Sequence, residues 1–459
     1  MIFTQYYLDC LSQASYLVGD ETTGRAVLVD PRRDIAEYLA DARTQGLTIV
    51  GVINTHFHAD FVAGHLEVAA ATGAWIGYGH RAQTDYPIRH LTDGERISLG
   101  DVTLEVMETP GHTPESISVL IHERADDAVA YGVLTGDALF IGDVGRPDLL
   151  ASAGVTAEEL GRMLHDSVQR KLMGLPDEVR VFPAHGAGSA CGKNLSTERQ
   201  STIGEQRRTN YACAPMPVEQ FLSLVTGGQP ITPGYFAYDA DLNRRTRALF
   251  DQSAVAALTV AEFAAARAAG ALVVDVRDPQ EFAAGHLRGA VNVPFDGRFA
   301  ETAGTVIAPD RTLLVIAPAE RAADTVLRLS RIGFDRVTGF LHDSQIARLE
   351  SVGELVAPGR VSVDDLLAAL VRADPPLVLD VRNPGELGIG VIGGAQHIPL
   401  AQLSGRLDEI GGDRPIVVHC AGGYRSSVAA SLLRAAGHQD VRDLIGGFHA
   451  WQEFELSRA

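Results

Sequence analysis

Short, nearly continuous runs of branched apolar residues recur along this chain, each ending in a polar or glycine-bearing loop. LTIVGVI (47–53), LVVDV (272–276), TLLVIA (312–317), LVLDV (377–381) and PIVVHC (415–420) are the clearest. Such runs are short for helices, and their lack of alternation predicts strands buried on both faces. In the second half they alternate with helical segments, which predicts parallel sheets covered on two sides. The alanine-rich stretch Ala254 to Gly270, broken by Thr259, Glu262 and Arg267, predicts an ordinary surface helix. No run of about 18 apolar residues occurs, so no membrane span is predicted.

The second half is a duplication. LVVDVRDPQEFAAGHLRGAVNVP (272–294) returns as LVLDVRNPGELGIGVIGGAQHIP (377–399), offset by 105 residues from Leu272 to Leu377. Asp275, Arg277, Pro279, Glu281, Gly289 and Pro294 recur as Asp380, Arg382, Pro384, Glu386, Gly394 and Pro399. Each copy continues into a second apolar strand and a helix ending at a glycine, Gly333 or Gly437. A period this long marks a duplicated domain, because solenoid units run to about 20–50 residues. The first 245 residues hold no copy, and TGGQPITPGYF (226–236) and ELVAPGR (354–360) mark the joints. The predicted layout is one large domain over 1–245 and two small ones over 255–352 and 358–459.

Composition narrows the classes. A hydrophobic fraction of 46% with 21% charged residues is globular and excludes disorder as the main state. A net charge of −19 gives no basic face for nucleic acid and disfavours anionic membrane surfaces. The first twenty residues lack the basic and apolar regions of a secretory peptide, so a cytoplasmic location is expected. The four cysteines, at 10, 191, 213 and 420, are too few and scattered for a disulfide framework. Cys10 and Cys213 are expected to be buried small hydrophobes.

Metal-ligating residues follow several of the apolar runs. NTHFHADFVAGH (54–65) supplies His56, His58 and Asp60 directly after LTIVGVI. ETPGHTPES (108–116) offers His112, VLTGDALF (133–140) offers Asp137 and VFPAHG (181–186) offers His185. Imidazoles and carboxylates converging on loops at strand ends are what a divalent transition metal needs.

These segments, in this order, resemble the metallo-β-lactamase superfamily over residues 1 to about 210. The resemblance implies an αββα sandwich with its ligands on loops at one edge. Glyoxalase II-type hydrolases carry HxHxDH there, but the last position in this chain is Phe61, which cannot ligate a second metal. Two histidines and one carboxylate with open positions form the facial triad of mononuclear Fe(II) oxygenases. The chain looks like the persulfide dioxygenases of this superfamily, which implies one Fe(II) per chain on His56, His112 and Asp137. His58, Asp60 and His185 would orient those ligands from behind. Phe61 is also compatible with a mononuclear zinc hydrolase, so zinc stays open as the alternative. IGDVGRPDL (141–149) matches the Gly-Arg-x-Asp element of the same family through Gly145, Arg146 and Asp148. Arg146 and Asp148 are the expected substrate-binding pair, with the arginine fork suited to a carboxylate on a thiol carrier. Cys191, Gly192 and Lys193 are expected near the substrate entrance.

PIVVHCAGGYRSSVAASLLRAAG (415–437) places Cys420 at a strand end before a glycine-bearing loop and a helix. Loop amides, the helix N-terminus and Arg425 put positive charge around the sulfur, and Ser426 and Ser427 are expected to cap the helix. Cys420, Gly423 and Arg425 are the expected catalytic residues. Four residues lie between Cys420 and Arg425, one fewer than in the phosphatase loop C-x5-R. The C-x-x-G-x-R loop and the duplicated segments resemble rhodaneses over 257–459, which implies two α/β parallel-sheet domains and a sulfane sulfur carried on Cys420. Asp380 and Arg382 are expected to pair behind the loop. The middle copy has no cysteine between 214 and 419, and its loop APAER keeps only Arg321, so it is expected to be inactive.

The resemblances together imply a persulfide dioxygenase–rhodanese fusion of sulfide detoxification. Its small-molecule partners would be a thiol persulfide, O2 and sulfite or thiosulfate. The carrier thiol is open, and a homo-oligomer, commonly a dimer, is the default assembly.

Overall fold

The computed structural model describes every residue except 150–154, 252–254, 352, 412–413 and 458–459. The predicted segment ends at 254, 352 and 459 therefore lie outside the described residues. Two compact units emerge, Met1–Phe250 with Ser330–Gly333, and Asp251–Leu329 with Phe334–Ala459.

The first unit holds two six-stranded sheets. One runs in chain order from Ile2–Leu8 through Gln13–Gly19, Arg25–Val29, Thr48–Ile53 and Trp75–Gly79 to Arg89–Leu91. The other runs from Ser201–Thr202 through Arg180–Pro183, Gly132–Gly136, Ile117–His122 and Thr103–Glu108 to Arg96–Ser98. Strand alternation sorts the side chains. Tyr16, Val18, Val27 and Val29 meet Leu104, Val106, Val119 and Ile121 of the opposite sheet in one core. Their neighbours Leu17, Leu28 and Val52 turn outward to pack with Tyr38 and Ala42 of the helix Ala36–Thr44 and Val68 of His65–Thr72. On the far side, Val133 and Val181 meet Leu164 of the helix Ala157–Asp166. The layers are thus helix, sheet, sheet, helix, a period-two pattern in which both faces of each sheet are covered.

The second unit contains two four-stranded parallel sheets built alike. In one, Leu272–Asp275 lies between Val291–Asn292 and Leu313–Ala317, with Val337–His342 outside. In the other, Leu377–Asp380 lies between Gln396–His397 and Ile416–His419, with Val441–Asp443 outside. The helix expected from Ala254 is shorter, Val260–Ala268, because Thr259 is its cap. The Thr259 hydroxyl accepts from Glu262 N and Glu262 reaches back, while Leu258 N donates to Phe340 O in the sheet. Among the described residues no helix is long and apolar enough to cross a membrane.

Candidate metal centre and cysteine loop

Each predicted metal ligand sits just past a strand end. His56 and His58 follow Thr48–Ile53, His112 follows Thr103–Glu108, Asp137 follows Gly132–Gly136 and His185 follows Arg180–Pro183. His56 Nε2 and His112 Nε2 lie 3.8 and 3.5 Å from the same oxygen, Asp137 Oδ2. One ligand atom from each of the three residues lies within 4.8 Å of the others, and all three side chains are buried. Among the described residues, His56 Nε2 and Asp137 Oδ2 have no hydrogen-bond partner. Buried polar atoms are rarely left so, and each costs roughly 1–3 kcal/mol unless something satisfies it. A divalent cation between them does that, so the donor set fits a metal.

The remaining ring nitrogens are committed. His112 Nδ1 faces Arg146 O at 3.0 Å and His56 Nδ1 faces Thr55 Oγ1 at 2.9 Å, which leaves each Nε2 for a metal. Burial pushes both imidazoles below the ordinary histidine value, His56 well below it, so they are neutral ligands at pH 7. Burial opposes ionisation of Asp137, yet His185, His56 and His112 hold its carboxyl below the usual range. Gly145 is required here: a Cβ would lie 1.9 Å from Asp137 O and 3.0 Å from His112 Nδ1.

The supporting residues divide. His185 lies between two carboxylates, with Nδ1 2.7 Å from Asp137 Oδ1 and Nε2 2.8 Å from Asp60 Oδ2. Burial alone would discharge His185, but Asp137 and Asp60 raise it well above its usual value. His58 Nε2 turns to Asp30 Oδ1 at 2.9 Å, and its ring sits against Phe61, centroids 4.3 Å apart. Cys191 is buried and joins Asp60 and His185 in a second cluster of ligand atoms. Burial, then Asp60 and Asp137, push its thiol well above the ordinary value.

The Arg146 guanidinium is engaged within the protein. Its Nε and Nη2 clasp Asp148 at 2.7 Å each, and Nη1 donates to Pro230 O at 2.7 Å and Ala190 O at 3.3 Å. Four of five N–H groups are consumed inside the protein. Lys193 likewise spends its ammonium on Leu224 O and Gly227 O. Cys213 is buried as expected, whereas Cys10 is only half-buried. Two positioning residues had no sequence signature. Asp30, held at φ +50, accepts from Thr55 N, Thr55 Oγ1 and His58. Asn243 accepts from Ala63 N and donates to His58 O and Phe61 O, fastening the histidine loop from 180 residues away.

Cys420 follows Ile416–His419 and is 1% exposed. Its sulfur accepts from Gly423 N at 3.1 Å and lies 3.6 Å from Ser426 Oγ. The helix begins at Tyr424 with Gly423 as its N-cap at φ +100, so the serines do not cap it. They stand inside the first turn instead: Ser426 Oγ donates to Gly423 O, and Ser427 Oγ to Asn292 Oδ1. Arg425 forks onto Glu386 at 2.6 and 2.7 Å. Burial opposes ionisation of Glu386, but Arg425 holds its carboxyl below the usual value. Asp380 and Arg382 pair behind the loop, Nη2 to Oδ2 at 2.6 Å.

An αββα sandwich with a histidine–aspartate centre at its loop edge defines a metallo-β-lactamase-type protein, and family models agree. Residues 8–185 match the Metallo-beta-lactamase superfamily, and 259–342 and 362–454 each match a Rhodanese-like domain. Mitochondrial persulfide dioxygenase ETHE1 of Homo sapiens is 33% identical over 215 residues, 46% of this chain and 75% of that protein. A hydroxyacylglutathione hydrolase of Rhodospirillum rubrum is 36% identical over 173 residues, 37% of this chain and 60% of that one. A solved metallo-beta-lactamase from Staphylococcus aureus superposes with TM-score 0.69 at 33% identity, covering 74% of this chain and 99% of that one. The chain belongs to the ETHE1 persulfide dioxygenase family of the metallo-β-lactamase superfamily, followed here by two rhodanese-like domains. It is an enzyme of sulfur metabolism.

Proposed function

We propose that this chain oxidises a low-molecular-weight thiol persulfide to sulfite in its first unit and moves sulfane sulfur through Cys420 to or from thiosulfate. The observation that carries the reading is the triad His56, His112 and Asp137, with Phe61 against His58, on one chain with the Cys420 loop. A ferrous ion on that triad supplies the O2 chemistry that side chains lack. The oxidation balances as thiol persulfide, O2 and water giving thiol, sulfite and two protons.

The protein's own contribution is placement and charge. Arg146 O and Thr55 Oγ1 fix the two imidazoles, and His185 fixes Asp137. In the second unit, the Cys420 thiolate attacks the outer sulfur of a donor persulfide. The new bond joins Sγ to that sulfur, the donor's S–S bond breaks and its thiolate leaves. Sulfite then takes the outer sulfur from Cys420, giving thiosulfate and restoring the thiolate. Gly423 N–H stabilises negative charge on the sulfur throughout.

An oxygen-electrode assay with a thiol persulfide tests the division. His112→Ala should lose O2 uptake while keeping sulfur transfer, and Cys420→Ser should do the reverse. Equal loss of O2 uptake in both variants would end the two-site reading. The cluster of Asp60, His185 and Cys191, with the hydrolase similarity, favours a second reading, a zinc-dependent thioester hydrolase with a sulfurtransferase. Zinc at one or two equivalents, thioester turnover and no O2 uptake would establish it instead.

A further inference from the structure

A cavity of about 490 Å3 opens at the Cys420 loop, and its walls come from both rhodanese-like modules. The catalytic module supplies Gly423, Tyr424 and Arg360, and the cysteine-free module supplies Arg277, Phe295 and Arg321. Gly423 links the cavity to chemistry, because its N–H donates to Cys420 Sγ at 3.1 Å. Tyr424 links the two walls, since its hydroxyl donates to Pro294 O at 2.9 Å. A space of this size suits an organic molecule and far exceeds what thiosulfate or sulfite fills.

The three arginines differ in what they can offer a ligand. Arg277 is locked onto Asp275 and Arg360 onto Asp443, both at 2.6 Å and both onto buried carboxylates. Exchanging either partner would strand a buried charge. Arg321 pairs at 3.0 Å with Asp296, whose side chain is 81% exposed, and lies over the Phe295 ring, 4.8 Å from its centroid. An exposed pair of this kind holds weakly and yields to a competing carboxylate at little cost. A guanidinium braced on an aromatic face keeps its fork available for that carboxylate.

Resting on the sulfurtransferase reading of Cys420, we propose that this cavity is where the organic thiol persulfide docks for transfer. The cysteine-free module is its second wall, and Arg321 selects a donor that carries a carboxylate. Loss of its own cysteine has left that module as half of the neighbour's binding site.

The test compares transfer to Cys420 from glutathione persulfide, which has carboxylates, with transfer from cysteamine persulfide, which has none. In the full-length protein, Arg321→Ala should lower the ratio of kcat/KM for the two donors about tenfold, mainly through KM for glutathione persulfide. Arg321→Glu should lower the ratio further, and Arg321→Lys should recover part of it. An unchanged ratio, or equal losses with both donors, overturns the assignment, since a general disturbance of the loop would act on both alike. Cys420→Ser separates the underlying reading: transfer that persists in it means Cys420 is not the carrier, whatever the ratio does.

Discussion

The two rhodanese-like modules share a buried frame and differ at the loop that in one of them follows Cys420. Arg277 Nη2 binds Asp275 at 2.6 Å and Gly285 O at 2.9 Å; Arg382 Nη2 binds Asp380 at 2.6 Å and Gly390 O at 2.9 Å. Asp275 pairs in register with Ile316 and Asp380 with His419, so Ala317 stands where Cys420 stands. Beyond that point one loop reads Pro-Ala-Glu-Arg and the other Ala-Gly-Gly-Tyr-Arg. The frame is buried ion pairing that cannot change one partner at a time without exposing the other to an apolar interior. The loop carries no such penalty. A module can therefore go without the cysteine and keep its fold.

The most severe way to break the comparison is at the nucleophile. Cys420→Ser should abolish sulfur transfer from thiosulfate to cyanide, a loss on the order of 10³-fold or more. Adding Ala317→Cys to that variant should restore nothing, because no glycine amide in the 318–321 loop waits for the sulfur. Thiocyanate formation by the double variant would show that the frame alone suffices.

Gly423 sharpens the same point. At φ +100, with an added Cβ 3.4 Å from Arg360 Nη2, it occupies backbone that other residues enter at a cost of about 1–2 kcal/mol. Gly423→Ala should slow transfer about tenfold by displacing the amide from Cys420, whereas Ala319→Gly in the silent loop should leave it unchanged. Stopped-flow measurement of persulfide formation on Cys420 reads both.

The frame itself should respond in stability. Arg382→Met leaves Asp380 buried without its partner and should cost about 3–5 kcal/mol. Burial opposes ionisation of Asp380, but Arg382 holds its carboxyl below the ordinary value, so the stability it contributes is present above the unfolded carboxylate range. That contribution disappears as pH falls through the depressed folded value. In the variant burial raises the Asp380 carboxyl instead, so the destabilisation should shrink as falling pH protonates it. Thermal melts from pH 7 down to about pH 2 follow both, and identical acid profiles for variant and parent would refute the pairing argument.

What could be read in advance follows from where physics is local. Histidines directly after apolar strands announce a sheet-edge site, since strand ends deliver loops to one place. The cysteine loop is legible for the same reason. Asn243 reaches the histidine loop from the end of the helix Phe236–Leu242, a position whose spacing in the sequence encodes nothing. Ser426 and Ser427 look like caps only until the helix start at Tyr424 is known, and the Gly-Arg-x-Asp element says nothing of Pro230 and Ala190, whose carbonyls take Arg146 Nη1.

The smallest expected effect lies where the two modules touch. Ser427 Oγ donates to Asn292 Oδ1 at 2.6 Å, and Asn292 N donates to Ser431 Oγ at 2.9 Å, both serines lying on the helix that follows Cys420. Asn292 Nδ2 in turn donates to Asp275 O and Arg277 O at 3.0 Å, so one side chain ties that helix to the silent module's frame. Ser427→Ala leaves Asn292 Oδ1 buried and unpaired and should cost about 1 kcal/mol, a melting shift of a few degrees. Transfer should change less than twofold, because Ser431 and the packing of the helix still hold the loop. A tenfold loss of transfer without a change in melting temperature would mean the silent module steers the cysteine loop rather than merely bracing it. No change in either would mean this link bears no load.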